Sequence, residues 1–174
     1  VQTVTLEKGE TKRIQAALLK KRLLDRIKWK KQLRSKAASK PIYKNGKIYV
    51  ATERGEYIAV NENGKQVWKA NIEKSIKSTP VIKNNKSFVA NLDGNMMAID
   101  NSSGKILWKQ KLNGPLLFGA QPVFMSNNIF VGTSMGRMYK LDASNGKVLW
   151  DIDANGGIYG SIFFYRDMLY VGTD

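Results

Sequence analysis

The sequence predicts an all-β protein: a β-propeller of four-stranded antiparallel blades, partial at about three and a half copies, carrying a basic N-terminal segment that is helical. Three observations predict it. A repeat of about forty residues recurs along the chain, β-rich runs in each copy are punctuated by Asn and Gly, and a tryptophan ends each copy. Aligned on proline, the copies run from Pro41 to Trp68, Pro80 to Trp108 and Pro122 to Trp150, and a fourth begins at Ser161. The Trp spacings are 40 and 42 residues. A period of this size in β-type sequence marks a propeller or another stacked array. One such unit cannot bury its own faces, so the repeat sets the fold before any single residue does.

The N-terminal segment differs in charge. Residues 1–40 hold 13 Lys and Arg against 3 acids, a net +10 out of the chain's +15. Thr11 to about Ile27 is rich in Ala, Leu, Lys and Arg, which are good helix formers. Ala16, Leu19, Leu23 and Ile27 fall on one helical stripe. The expected division is a basic segment over 1–26, helical from 11, and propeller over 27–174. Trp29 stands twelve residues before Pro41, as Trp68 stands twelve before Pro80. The stretch Ile27–Leu33 is therefore expected to be the outermost strand of a blade whose inner strands come from elsewhere.

The blades are expected over 41–79, 80–121 and 122–160, with 161–174 starting the next. Strand one holds Ile42-Tyr43, Val81-Ile82, Val123-Phe124 and Ile162–Phe164. Strand two spans Lys47–Thr52, Ser87–Asn91, Ile129–Thr133 and Met168–Thr173, with the Ile, Val, Tyr and Phe that pleated surfaces favour. Asn45-Gly46 and Asn84-Asn85 lie between them, where a tight hairpin needs positive φ. Gly55, Gly94 and Gly136 mark the second turn; strand three holds Tyr57–Val60, Met96–Ile99 and Met138–Leu141. Asn63-Gly64, Ser103-Gly104 and Asn145-Gly146 mark the third turn, and the tryptophans open strand four.

Composition excludes much chemistry. The chain has no Cys and no His, so it has no disulfide, no thiolate ligand, no cysteine nucleophile and no Ser-His-Asp triad. No run of about eighteen apolar residues occurs. Glu53 and Glu56 form a carboxylate pair on paper, but they flank the turn at Arg54-Gly55 and are expected to be solvated. Asp100 and Asp142 are expected to shape turns rather than bind metal. No catalytic, cofactor-binding or metal-binding residue is assigned.

The end of copy two reads Ala98-x-Asp100-x-x-Ser103-Gly104-Lys105-x-x-Trp108. This resembles the tryptophan-docking motif of the pyrroloquinoline-quinone-type (PQQ-type) propeller repeat. Copy three keeps Asp142, Gly146, Lys147 and Trp150 but has Lys140 for Ala; copy one has Ala59, Asn61, Gly64, Lys65 and Trp68. The resemblance implies that Trp29, Trp68, Trp108 and Trp150 pack between blades against a backbone that glycine leaves open. One branch of the family binds quinone and calcium on the ring axis. The BamB-like branch is non-catalytic and includes lipoproteins that help assemble outer-membrane barrels. Resemblance to that branch implies a scaffold without cofactor, in the periplasm, holding a protein partner. A fragment of a quinoprotein dehydrogenase is the alternative.

Two surfaces are candidates for partners. Loops at strand ends carry function in propellers, because strands are used in blade packing. The middle loop between blades carries Leu116-Leu117-Phe118 after Gly114-Pro115. These three are expected either to cap the core or to form a docking patch rimmed by Arg54, Met135 and Arg137. Separately, the basic residues of 12–36 offer contact to an anionic surface. Nucleic acid fits that stretch less well, since Trp29 alone interleaves an aromatic.

Overall fold

A computed structural model of the chain describes residues 27–117, 119–166 and 168–174. The expected helix over 11–26 lies outside the described residues. The chain divides into two compact units, Val1–Gln32 and Leu33–Asp174. In the first, the described residues 27–32 hold no strand, and Trp29 there is half-buried. The outermost strand expected over Ile27–Leu33 is therefore not formed. The expectation placed the partners of this strand outside the repeat copies of this chain, and a strand is stable only when a neighbour takes up its backbone donors and acceptors.

The second unit holds every described strand. Blade one is β1 (Ile42–Lys44), β2 (Lys47–Ala51), β3 (Glu56–Asn61) and β4 (Gln66–Asn71). Blade two is β5 (Val81–Lys83), β6 (Lys86–Ala90), β7 (Asn95–Asp100) and β8 (Ile106–Lys111). Blade three is β9 (Val123–Met125), β10 (Asn128–Gly132), β11 (Arg137–Asp142) and β12 (Val148–Asp153). A final hairpin joins β13 (Phe163–Tyr165) to β14 (Met168–Tyr170), the latter ending before the expected Thr173. Each blade is an antiparallel meander in sequence order. The β1–β2 and β5–β6 turns take the left-handed φ that their sequence asks for, 50° at Asn45 and 49° and 57° at Asn84 and Asn85.

Every blade carries the same irregularity. The register of strands three and four slips after Ala59, Ala98 and Lys140, each of which faces the blade's tryptophan. The extra residues are Val67, Leu107 and Leu149, which bulge outward and stay 44–48% exposed. Such a bulge bends the strand and re-aims the next side chain. Here it is the tryptophan that follows.

Between blades the core is closely filled. Phe88, Met96, Trp108, Leu116, Ile129 and Leu141 belong to one cluster; Tyr49, Tyr57, Trp68, Ile72, Ile76 and Met97 belong to another. Trp68 of blade one lies on Gly104 of blade two, and Trp108 of blade two on Gly146 of blade three. A β-carbon on Gly104 would sit 2.8 Å from Trp68 Cδ2, and one on Gly146 would sit 2.5 Å from Trp108 Cε3. Both glycines also hold positive φ, 76° and 78°. Only a residue without a side chain satisfies both conditions at low cost.

Candidate functional site

The turns sort to two ends of the blades. One end carries the hairpins between strands three and four, with Asp100 and Asp142. Asp100 accepts from the N–H groups of Ser102 and Ser103 and from Ser103 Oγ at 2.8–3.0 Å, and Asp142 accepts from the N–H and Oγ of Ser144 at 2.7 and 2.6 Å. These bonds hold both carboxyls below the usual carboxylate range, the serine hydroxyls contributing most. The tryptophan indoles also end here. Trp68 Nε1 donates to the Asn101 carbonyl at 2.9 Å, and Trp108 Nε1 to the Ala143 carbonyl at 3.1 Å.

The opposite end carries the hairpins between strands two and three and the loops that cross to the next blade. Each crossing loop is tied at both sides. Its first residue bonds back to the hairpin glycine of its own blade, Ile72 to Gly55, Leu112 to Gly94 and Ala154 to Gly136, all at 2.8 Å. It then receives the next blade's hairpin, Leu92 N–H on the Ser75 carbonyl at 2.9 Å and Ser134 N–H on the Pro115 carbonyl at 3.0 Å. Asn113 N–H adds a bond to Tyr139 Oη at 3.0 Å. Loops tied this way present side chains from a fixed backbone, which lowers the ordering cost of binding.

The sequence-derived patch divides when placed on this end. Leu116 is fully buried in the core shared by blades two and three, so it is unavailable to a partner and drops out of the candidate surface. The reason is positional. Ile76 and Ile158 fill the same offset in the other two loops and are equally buried, a repeated aliphatic in I-x-x-x-I, L-x-x-x-L and A-x-x-x-I that the sequence displays. Leu117 is half-buried, and Phe118 lies outside the described residues. Met135 is 64% exposed at its hairpin tip, and its side chain crosses Gly114. Arg137 is half-buried and bonded to Asp151, with Asp153 at 3.8 Å, so its charge is matched within its own blade. Arg54 is exposed on blade one, one full blade away from Met135. Its neighbour Arg34, which the sequence placed only within the basic stretch of 12–36, lines the same cleft.

Of the tryptophans, Trp68 and Trp108 are buried and Trp150 is half-buried beside Phe130, with Lys140 in the place of the small residue. Glu53 and Glu56 do not act as a pair: Glu53 meets Lys77 at 3.4 Å and Glu56 meets Lys69 at 2.9 Å. Among the described residues no group of three His, Cys, Asp or Glu is placed to hold a metal ion. Nor is any helix among them long and apolar enough to cross a membrane.

Four-stranded blades joined by a tryptophan on the next blade's turn glycine define a propeller of the PQQ type. The family model described as outer membrane protein assembly factor BamB matches residues 22–117 and 93–174, and the chain belongs to that family. Among solved structures it is similar to BamB from Moraxella catarrhalis, with TM-score 0.72 and 20% identity over 83% of this chain and 46% of that one. The chain thus spans about half the length of that BamB. It is also similar to the computationally designed Ika4 protein, with TM-score 0.69 and 14% identity over 82% of this chain and 88% of that one. A quinohemoprotein alcohol dehydrogenase from Pseudomonas putida HK5 matches at TM-score 0.61 and 19% identity, over 72% of this chain and 22% of that one. At these identities the likeness is one of fold. No curated protein matches the chain.

Proposed function

We propose that this chain is a non-catalytic propeller scaffold that holds a protein partner of outer-membrane protein assembly, in the periplasm, without a cofactor. The observation that carries this reading is the family match, which runs through all three blades. The docking end is the one bearing the crossing loops. Its centre is Met135 with Leu117, a mobile thioether and an aliphatic on a fixed backbone. Met and Arg are among the residues enriched at interfaces, and Arg54 supplies the charged rim. Contact of the basic residues of 12–36 with an anionic surface is a second component of the same reading.

The test is site-specific photo-crosslinking in a Gram-negative envelope, from position 135 and from exposed Lys105 at the opposite end. Crosslinks to a barrel-assembly component from 135 and not from 105 are expected. Equal crosslinking from both positions, or none to envelope assembly proteins from 135, overturns the reading. Dye reduction by the chain with added quinone and calcium would instead place it with the dehydrogenases. Met135→Asp is expected to abolish the crosslinked partner's capture while moving stability by no more than about 0.5 kcal/mol.

A further inference from the structure

We propose that the cleft between Arg34 and Arg54 receives a carboxylate from an acidic stretch of the partner protein, an inference that rests on the docking role given above. The cleft is built by a short segment laid along blade one. Ala38 N–H donates to the Ala51 carbonyl at 2.8 Å and Glu53 N–H to the Lys36 carbonyl at 3.0 Å. Ala37 bridges Thr52 in antiparallel sense, and Arg54 N–H reaches Ser35 Oγ at 3.3 Å. These bonds bring Arg34 to the hairpin tip that carries Arg54. The cleft, about 290 Å³, is lined by Arg34, Arg54, Glu56, Lys69 and Asn71.

Its charges do not cancel. Lys69 takes up Glu56 at 2.9 Å. Neither guanidinium forms an ion pair with a described carboxylate, in contrast to Arg137 with its two aspartates. Asn71 Oδ1 already accepts from Glu73 N–H at 3.0 Å, so its amide N–H groups remain to be used. Two guanidinium forks and an amide donor on one cleft make a receptor for a planar anion, since the fork matches a carboxylate edge in bidentate fashion. Glu56 on the wall selects within that class: a doubly charged phosphate meets more repulsion from it than a single carboxylate does. Arg54 also stands where the other two hairpins carry Asp93 and Met135, so the feature belongs to blade one and not to the repeat.

The test uses the whole chain and an end-capped Glu-Ser octapeptide, followed by fluorescence anisotropy at about 0.1 M salt. Saturable binding is expected. Arg34→Gln with Arg54→Gln weakens it about tenfold or more, while Lys105→Gln with Lys147→Gln, exposed at the opposite end of the blades, changes it less than about twofold. An equal loss in the lysine pair shows diffuse attraction and overturns the proposal. Displacement of the peptide by inorganic phosphate at matching concentration overturns it in favour of a phosphate site. Crosslinking from position 135 separates this from the docking role. Full crosslinking in the arginine pair sinks the cleft and leaves the docking role standing; peptide binding with no crosslinked partner does the reverse.

Discussion

The two blade joints use one device with opposite linings. In both, an indole lies on a turn glycine and donates to a main-chain carbonyl. At the first joint the surroundings are polar. Tyr57 Oη donates to Ser87 Oγ at 3.1 Å, and Ser87 Oγ donates to Asn101 Oδ1 at 2.6 Å, all of it buried. Lys47 Nζ shares the Asn101 carbonyl with Trp68, at 2.9 Å. At the second joint the same three repeat positions are Met96, Ile129 and Ala143, all in one apolar cluster. The triad is exchanged as a set. A buried polar chain is tolerable when every member is satisfied, and an apolar set when none is polar; a mixture is the costly case. The indole bonds to backbone oxygen, which explains why the residue supplying that oxygen is free to be Asn or Ala.

The largest effect should come from the shared device. Trp68→Ala and Trp108→Ala are each expected to cost about 3–5 kcal/mol in denaturant unfolding, since each removes a buried ring and leaves a cavity. Similar losses at the two joints would show that the linings are equivalent supports. A loss at one joint only would break the comparison, because the polar or apolar set would then be holding the blades without the indole.

A smaller effect sharpens it. Ser87→Ile alone strands the Tyr57 hydroxyl and the Asn101 side chain and should cost about 1–3 kcal/mol. Adding Tyr57→Met and Asn101→Ala copies the second joint into the first. The triple variant is expected to recover to within about 1 kcal/mol of the parent. Additive losses across the three would show that the sets are not exchangeable. Tyr57 offers a spectroscopic check, because burial pushes its hydroxyl above the ordinary phenol range and delays its alkaline ionisation until the joint opens.

Most of the fold was legible because the repeat is written in residues with local physics. Asn45-Gly46, Asn84-Asn85, Gly104 and Gly146 specify turns, and Trp68 and Trp108 specify joints, with no need of distant partners. Residues without such local physics were harder to place. Ile27–Leu33 has a strand's composition but holds no strand. Leu116 is open in sequence between capping the core and forming a docking patch, and the loop folds it inward as it does Ile76 and Ile158. Loop composition alone does not say which side of a loop faces the core; alignment of the three loops does. The Arg34–Arg54 cleft was not legible at all. It depends on a segment outside the repeat being laid against blade one, and no periodicity announces that.

The smallest effect concerns the third turn, where blade one differs again. Asn61 Oδ1 accepts from the N–H groups of Asn63 and Lys65 at 3.1 and 2.9 Å, the work that Asp100 and Asp142 do with charge. The aspartates titrate lower when folded, so their contribution is fully present above the unfolded carboxylate value of about 3.9 and is lost as pH falls through the folded one. Stability should therefore be flat in these groups between about pH 5 and 7 and decline below about pH 4. Both groups are solvent-screened, so the change is small beside the joint substitutions. Asp100→Asn with Asp142→Asn gives all three turns the chemistry of Asn61. The doubly substituted chain is expected to show a shallower acid limb in denaturant midpoints measured from pH 7 to pH 3, with little change at neutrality. An unchanged acid limb would mean that the carboxylates bring nothing to these turns that the amide does not, leaving the polar triad of the first joint as the difference between the two joints.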